Sequence, residues 1–192
     1  MPILIWLLML QLDSTTAASF FKFFESLNAY ETEFTQITES PFLETTRAKG
    51  SLSVQQPGKF KMVYVEGEEK LVVSDGELCR EVDYLAETHS DTQVEEIRNE
   101  PLIRALVFGE DLRQHFLVDR IKTEDGTETF RLRPREDDSY HLEMRFQENW
   151  VPLSIEYISS EGEKTRFLFS AFSKEVSFPE GYFSIPQLPF SD

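Results

Sequence analysis

One cysteine in 192 residues leaves the fold without covalent staples. Cys79 has no internal disulfide partner, and four-cysteine zinc sites and iron–sulfur clusters are arithmetically excluded. Positive charge is scarce too. The chain sets 19 Lys and Arg against 35 Asp and Glu, a formal charge of −16, so it repels a phosphate backbone or an anionic lipid surface, and nucleic-acid binding is excluded. The three histidines, His89, His115 and His141, lie in separate segments without the helical spacing of a zinc-ligand pair. There is no GxSxG elbow, phosphate-binding glycine loop or dinucleotide fingerprint. Carboxylates are too abundant for any pair to stand out as acid and base: Asp137-Asp138 reads as a turn and Glu68-Glu69 as a hairpin tip. In Glu77-Leu78-Cys79-Arg80 a strand points Arg80 to the opposite face, so Cys79 reads as a small apolar residue rather than a nucleophile. The expectation is a non-enzyme that needs no metal and no cofactor.

Long hydrophobic runs are missing as well. The longest, Pro2 to Leu12, covers about a dozen positions, whereas a transmembrane helix needs roughly 20 and an export signal about 7 to 15. Small residues follow, and cleavage after Ala18 places Thr16 and Ala18 at the small-residue positions. Residues 1–18 are therefore expected to be an export signal; a buried N-terminal helix or an interfacial anchor is the alternative. No cysteine follows the run to receive a lipid. Residues 19–192 are the length of one ordinary domain, and no repeat, low-complexity run or Pro/Gly-rich linker divides them.

What is present is aromatic and alternating. Among 17 Phe, 6 Tyr and 2 Trp, Phe20, Phe23, Phe24, Leu27 and Tyr30 recur at three- and four-residue steps, which predicts a helix over 19–30. Beyond it the period is two: Leu52 and Val54; Phe60, Met62 and Tyr64; Leu142, Met144 and Phe146; Val151 to Tyr157; Phe167 and Phe169. Asp75-Gly76, Asp125-Gly126 and Glu161-Gly162 mark hairpin turns, so the strands run antiparallel. A second helix is predicted near Pro101 to Phe108, with Asn99 as cap and Gly109 as stop. A sheet of about ten or eleven strands with one apolar face and so few helices should curl into a barrel. Periodicity alone leaves open whether that barrel is hollow or filled by its own phenylalanines.

Phe34-Thr35-Gln36, then Gly50 to Met62 (GSLSVQQPGKFKM), then Leu71-Val72-Val73-Ser74-Asp75-Gly76 resemble, in order and spacing, the outer-membrane lipoprotein carrier protein family, LolA. Pro101 to Leu106 looks like that family's lid segment, Phe130-Arg131-Leu132-Arg133-Pro134 like its strand ending in proline, and Phe183-Ser184-Ile185-Pro186 like its C-terminal strand. The resemblance implies an incomplete antiparallel β-barrel with an α-helical lid over an apolar cavity. It further implies a monomeric periplasmic carrier that binds the acyl chains of lipoproteins, receives them from an ATP-driven transporter of the inner membrane, and passes them to an outer-membrane acceptor. The candidate wall is Leu52, Val54, Phe60, Met62, Tyr64, Leu142, Met144 and Phe146. The candidate lid is Leu102, Ile103 and Leu106, with Arg104 turned to solvent and Gln56 standing where the family often has a basic latching residue. Met62 and Cys79 occupy positions where the family often has tryptophan. Three other readings stay open: a carrier of another lipid or glycolipid, an interaction module with a filled barrel, and an exported hydrolase with a carboxylate pair.

Overall fold

The computed structural model describes residues 18–99, 101–122, 126–147 and 149–187. The expected export signal, apart from its last residue, and Asp125 of one predicted turn lie outside the described residues. Helix α1 is described over 18–25, and then come β1 (Ala29–Ser40), β2 (Leu43–Gln55), β3 (Lys59–Glu66), β4 (Lys70–Asp75), β5 (Leu78–Asp83) and β6 (Thr88–Gln93). Three short helices follow: α2 (Val94–Ile97), α3 (Pro101–Val107) and α4 (Leu112–His115). The chain finishes with β7 (Phe116–Lys122), β8 (Glu128–Pro134), β9 (Tyr140–Phe146), β10 (Pro152–Ser159) and β11 (Lys164–Ser173).

The eleven strands form one antiparallel sheet in the order β6-β5-β4-β3-β2-β1-β11-β10-β9-β8-β7. It is two meanders, β1–β6 and β7–β11, joined by pairing of the first strand with the last, Phe34 opposite Phe169 and Gln36 opposite Phe167. Local chemistry makes the turns. At the β4–β5 hairpin the Asp75 carboxylate accepts from the backbone N–H of Glu77 at 2.9 Å and of Leu78 at 3.0 Å, and Gly76 supplies a φ of 102°. The edge strands β6 and β7 do not pair with each other, so the barrel is incomplete. The chain gets from one edge to the other through the helical segment α2–α4, and this crossing is the lid.

The interior is filled on one side only. Phe20, Phe23 and Phe24 of α1 pack among Phe130, Phe146 and Phe172, with ring centroids such as Phe20–Phe130 at 4.5 Å and Phe23–Phe146 at 5.2 Å. Trp150 closes this cluster at 5.9 Å from Phe130. Such contacts bury most of each ring and give aromatic pairs their favourable edge and tilted geometries.

Two expectations need correction. The helix predicted to Tyr30 stops at residue 25: Ser26 caps it back, its hydroxyl donating to the Phe23 carbonyl at 2.7 Å, and Tyr30 already lies on β1. The three- and four-residue spacing persists only because α1 and the inner face of β1 both look into the same core. Phe183-Ser184-Ile185-Pro186 is not a strand. The segment instead runs over the outer face of β2–β5. There the Tyr182 hydroxyl meets Ser53 Oγ at 3.1 Å, Lys61 Nζ sits 5.0 Å from the Tyr182 ring, and Arg80 donates to the Pro186 carbonyl at 2.9 Å. The outer face that carries Arg80 also carries Val73 and Val82, each 1% exposed, so this part of the sheet is apolar on both sides and needs a cover.

Candidate functional site

Away from α1 the inner face is not filled. A cavity of about 370 Å³ lies between α3 and the sheet. Leu52, Phe60, Met62 and Tyr64 line it from β2 and β3, and Tyr157, Phe167 and Phe169 from β10 and β11. Ile103, Leu106 and Val107 form its roof. Met62, Tyr64, Tyr157, Phe167 and Phe169 remain half-buried although they point inward from the sheet, which is how an apolar wall looks when nothing packs against it. Gly50 helps to shape one end: the Phe34 ring crosses over it, so close that a Cβ there would lie 2.8 Å from the ring. Phe34 is thereby brought edge-on to Tyr64 at 5.3 Å and to Phe167 at 5.5 Å.

Two polar side chains of this cavity, Gln36 and Tyr64, are paired with each other. The Tyr64 hydroxyl donates to Gln36 Oε1 at 2.8 Å, and Gln36 Nε2 donates to Thr38 Oγ1 at 3.3 Å. Burial, with the charges of Glu68 and Glu81 added, pushes the Tyr64 phenol well above its ordinary range, so it stays a neutral donor.

Hydrogen bonds at both ends hold the roof. Helix ends leave carbonyls without intrahelical partners, and here the Tyr30 hydroxyl donates to the Leu106 carbonyl at 2.7 Å while Gly58 N–H donates to the Val107 carbonyl at 3.4 Å. Just beyond, Gly109 at φ 62° packs against the Gln56 carboxamide, leaving no room for a Cβ. On the α2 and α4 side Glu110 bridges Arg98 and His115, the latter with Nε2 to Oε2 at 2.6 Å. Arg104 Nη1 lies 3.1 Å from His115 Nδ1. Because guanidinium can only donate, Nδ1 is the acceptor and Nε2 carries the proton given to Glu110. Burial acts to raise the Glu110 pKa, but the Arg98 hydrogen bond and charge, with His115 and Arg104, outweigh it and hold the carboxyl below its usual range.

On the far side of Tyr157 is a second recess, a polar cleft of about 720 Å³ between the lid and the β8–β9 hairpin. Its walls include Arg104, His115, Arg135, Glu136, Asp137 and Tyr140. The Tyr140 and Tyr157 rings stack at 5.4 Å and form the partition between the two spaces.

A barrel opened on one side, an apolar hollow and a helical roof suit a lipid-carrier fold, and the sequence matches the family described as outer membrane lipoprotein carrier protein LolA over residues 25–186. The chain belongs to the LolA family. No curated protein matches it. Among solved structures it is similar in fold to an uncharacterized conserved protein from Thermus thermophilus, with TM-score 0.56 and 10% identity over 90% of this chain and 94% of that one. A LolA superfamily protein from Nitrosomonas europaea aligns at TM-score 0.48 and 9% identity over 88% and 97% of the two chains. Lipoprotein LppX from Mycobacterium tuberculosis aligns at TM-score 0.46 and 10% identity over 81% and 92%. Among the described residues no helix is long and apolar enough to cross a membrane, and no group of His, Cys, Asp and Glu is placed to hold a metal ion.

Against the LolA frame the expected site residues divide. Leu52, Phe60, Met62 and Tyr64 line the cavity, and Ile103 and Leu106 roof it; the side chain of Leu102 lies outside the described residues. Val54, Leu142, Met144 and Phe146 do not line it. They belong to the packed core, and at Phe146 the α1 aromatics occupy the space that alternation alone would leave open. Gln56 sits against the end of the lid, but the hydrogen bonds that hold the lid's last carbonyls come from Tyr30 and Gly58. Arg104 is not turned freely to solvent. It donates to the Arg98 carbonyl and to Oδ1 of Asn99, the residue expected to cap the helix. Tyr30, Gln36 and Tyr157 lie outside the expected set; the sequence signal for them is a hydroxyl or amide on an otherwise apolar strand face, which demands a buried partner. Cys79 is buried, and burial, with Glu81 and Asp91 nearby, raises its pKa to about 11. It is a thiol, not a thiolate.

Proposed function

We propose that the chain is an exported, monomeric, non-catalytic acyl-chain carrier of the periplasm. It takes the acyl chains of lipoproteins released by an ATP-driven inner-membrane transporter and hands them to an outer-membrane acceptor. The physical need is plain: each methylene kept from water is worth about 0.8 kcal/mol, so an acylated protein crosses an aqueous space only under cover. The observation that carries the reading is the unfilled apolar wall beneath α3, where half-buried Met62, Tyr64, Phe167 and Phe169 face empty space. LolA family membership supports it. A solid interaction module would have this half packed like the other, and a hydrolase would have carboxylates in the hollow, whereas its polar lining is Gln36, Tyr64, Tyr157 and Thr165.

At the roughly 30 Å³ that a water-sized group occupies in a condensed phase, about 370 Å³ takes on the order of a dozen methylenes. One acyl chain enters beneath the closed lid; a triacylated cargo requires α3 to move. The test is titration of the purified chain from residue 19 onward with a fluorescent acyl probe, followed by competition with a triacylated peptide. Saturable binding with competition is expected, and failure of both ligands to bind would overturn the reading. Depletion in the native host, followed by membrane fractionation, separates lipoprotein traffic from carriage of another lipid: lipoproteins should accumulate at the inner membrane.

A further inference from the structure

We propose that the polar cleft beside the lid seats a zwitterionic head group, a phosphodiester bearing a primary amine, on an amphiphile whose acyl chain lies in the apolar cavity. The proposal rests on the acyl-binding reading of that cavity and adds the chemistry of the other end of the ligand. Tyr157 lines both spaces, so a molecule that leaves the hollow past it enters the cleft directly. The stacked Tyr140–Tyr157 pair stands at the boundary, where a ring with an apolar body and a polar tip belongs.

The charges of the cleft select the head. In a chain with 35 acidic side chains against 19 Lys and Arg, most arginines hold a carboxylate, among them Arg80, Arg98, Arg113, Arg131 and Arg166. The two on the cleft do not. Arg104 donates only to neutral acceptors, the Arg98 carbonyl, Asn99 and His115, while Arg135 donates through Nε to the Arg113 carbonyl at 3.0 Å and makes no ion pair among the described residues. The carboxylate nearest in the network, Glu110, is already engaged by Arg98 and His115. Guanidinium groups with donors to spare fit a phosphate oxygen pair. Glu136 and Asp137 line the same cleft, with no cationic partner among the described residues, and they would repel a purely anionic head. An amine on the phosphodiester turns that repulsion into attraction.

The test uses ligands with one shared saturated chain and different heads, each displacing a fluorescent acyl probe: a monoacyl phosphoethanolamine, a monoacyl phosphoglycerol and a monoacylglycerol. The phosphoethanolamine lipid should bind roughly tenfold more tightly than the monoacylglycerol, the scale of one hydrogen bond to a charged group. Arg135→Ala should abolish that preference and leave monoacylglycerol affinity unchanged, which also reports that the variant is folded. Arg135→Gln, which keeps a side-chain donor, should do the same. Glu136→Gln combined with Asp137→Asn should erase the preference of amine over glycerol heads. Free phosphoethanolamine should not displace the probe, because the tail supplies most of the affinity. Equal affinity for all three lipids, or a head preference that survives Arg135→Ala, would overturn the head-group site while leaving the acyl cavity intact. If no ligand binds, monoacylglycerol included, the acyl reading fails and this proposal with it.

Discussion

Tyr30→Phe isolates the latch of the lid. The Tyr30 hydroxyl donates to the Leu106 carbonyl at 2.7 Å, and burial raises the phenol's pKa far above its ordinary value, so it is a donor at every accessible pH. Phenylalanine keeps the ring and its contact with Phe172 at 5.7 Å; only the hydroxyl goes. What is lost is one hydrogen bond of about 1 kcal/mol net, and up to roughly another 1 kcal/mol because the carbonyl at the end of α3 loses its partner. One to two kcal/mol corresponds to a factor of about 5 to 30 in an equilibrium constant. Amide hydrogen exchange measures it site by site. The α3 amides should exchange about 5- to 30-fold faster in the variant and, in both proteins, at a lower opening free energy than the amides of β8 and β9, which open only with the whole domain. If α3 exchange is unchanged, or if α3 and β9 amides open with the same free energy, the lid is not a separately opening unit held by this bond, and the reasoning is wrong.

Four further measurements probe the hollow half, the filled half, the lid network and the buried thiol. Thr165→Trp places a large ring in the cavity and should reduce acyl-probe affinity at least tenfold in displacement titrations while thermal stability is kept, since it fills space rather than making it. Leu142→Ala, in the packed half where Leu142 is fully buried, should cost about 2 to 5 kcal/mol in denaturant unfolding with probe affinity of the folded fraction unaltered. Glu110 has a depressed pKa in the folded state, so its contribution to lid closure is complete above the ordinary glutamate value of about 4.3 and is lost as pH falls through the lower folded value. Proteolysis of the α2–α4 segment should therefore accelerate below that range, and Glu110→Gln should show the acid-form rate already at neutral pH. Cys79, with its pKa raised to about 11, should resist alkylation at pH 8 in the native protein and react fully after unfolding; rapid native labelling would contradict its burial.

Alternation made the sheet legible because each strand has a wet side and a dry side, and a period of two has no other common cause. Hairpin turns were legible for the same kind of reason, a carboxylate and a glycine that solve a local backbone problem, as Asp75 and Gly76 do. The contents of the barrel were not. Leu142 and Met62 occupy the same position in the same pattern, yet Leu142 is fully buried in the packed core and Met62 borders a cavity, because the difference lies in which distant parts of the chain cover each of them, and that has no local signature. The C-terminal segment misled for a related reason: Phe183 and Ile185 alternate like a strand, but they cover the outer face of β3–β5 instead of extending an edge. Tyr30 fits both the helical spacing of α1 and the strand period of β1, and only the chain's turn at Ser26 decides between them.

The energetics of the lid follow from the same division. The α3 roof is held by the bonds from Tyr30 and Gly58 and by the Glu110 network, while Ile103 and Leu106 stay half-buried over an unfilled space. At about 1 kcal/mol for each neutral hydrogen bond, the hold of the latch is a few kcal/mol. A ligand gains about 0.8 kcal/mol for each methylene it takes out of water, so four or five methylenes, roughly, match the latch, and a full acyl chain exceeds it severalfold. A lid with this balance closes over the empty hollow, which shields Met62, Tyr64 and Phe167 from water, and yields to a long chain without outside work. A lid sealed by deep hydrophobic packing, as α1 is sealed against Phe130 and Phe146, would not yield. The two helices thus mark opposite solutions on one sheet: α1 uses its phenylalanines to complete a core, and α3 leaves its side of the core unfinished, with a grip weak enough for the missing part to be supplied from outside.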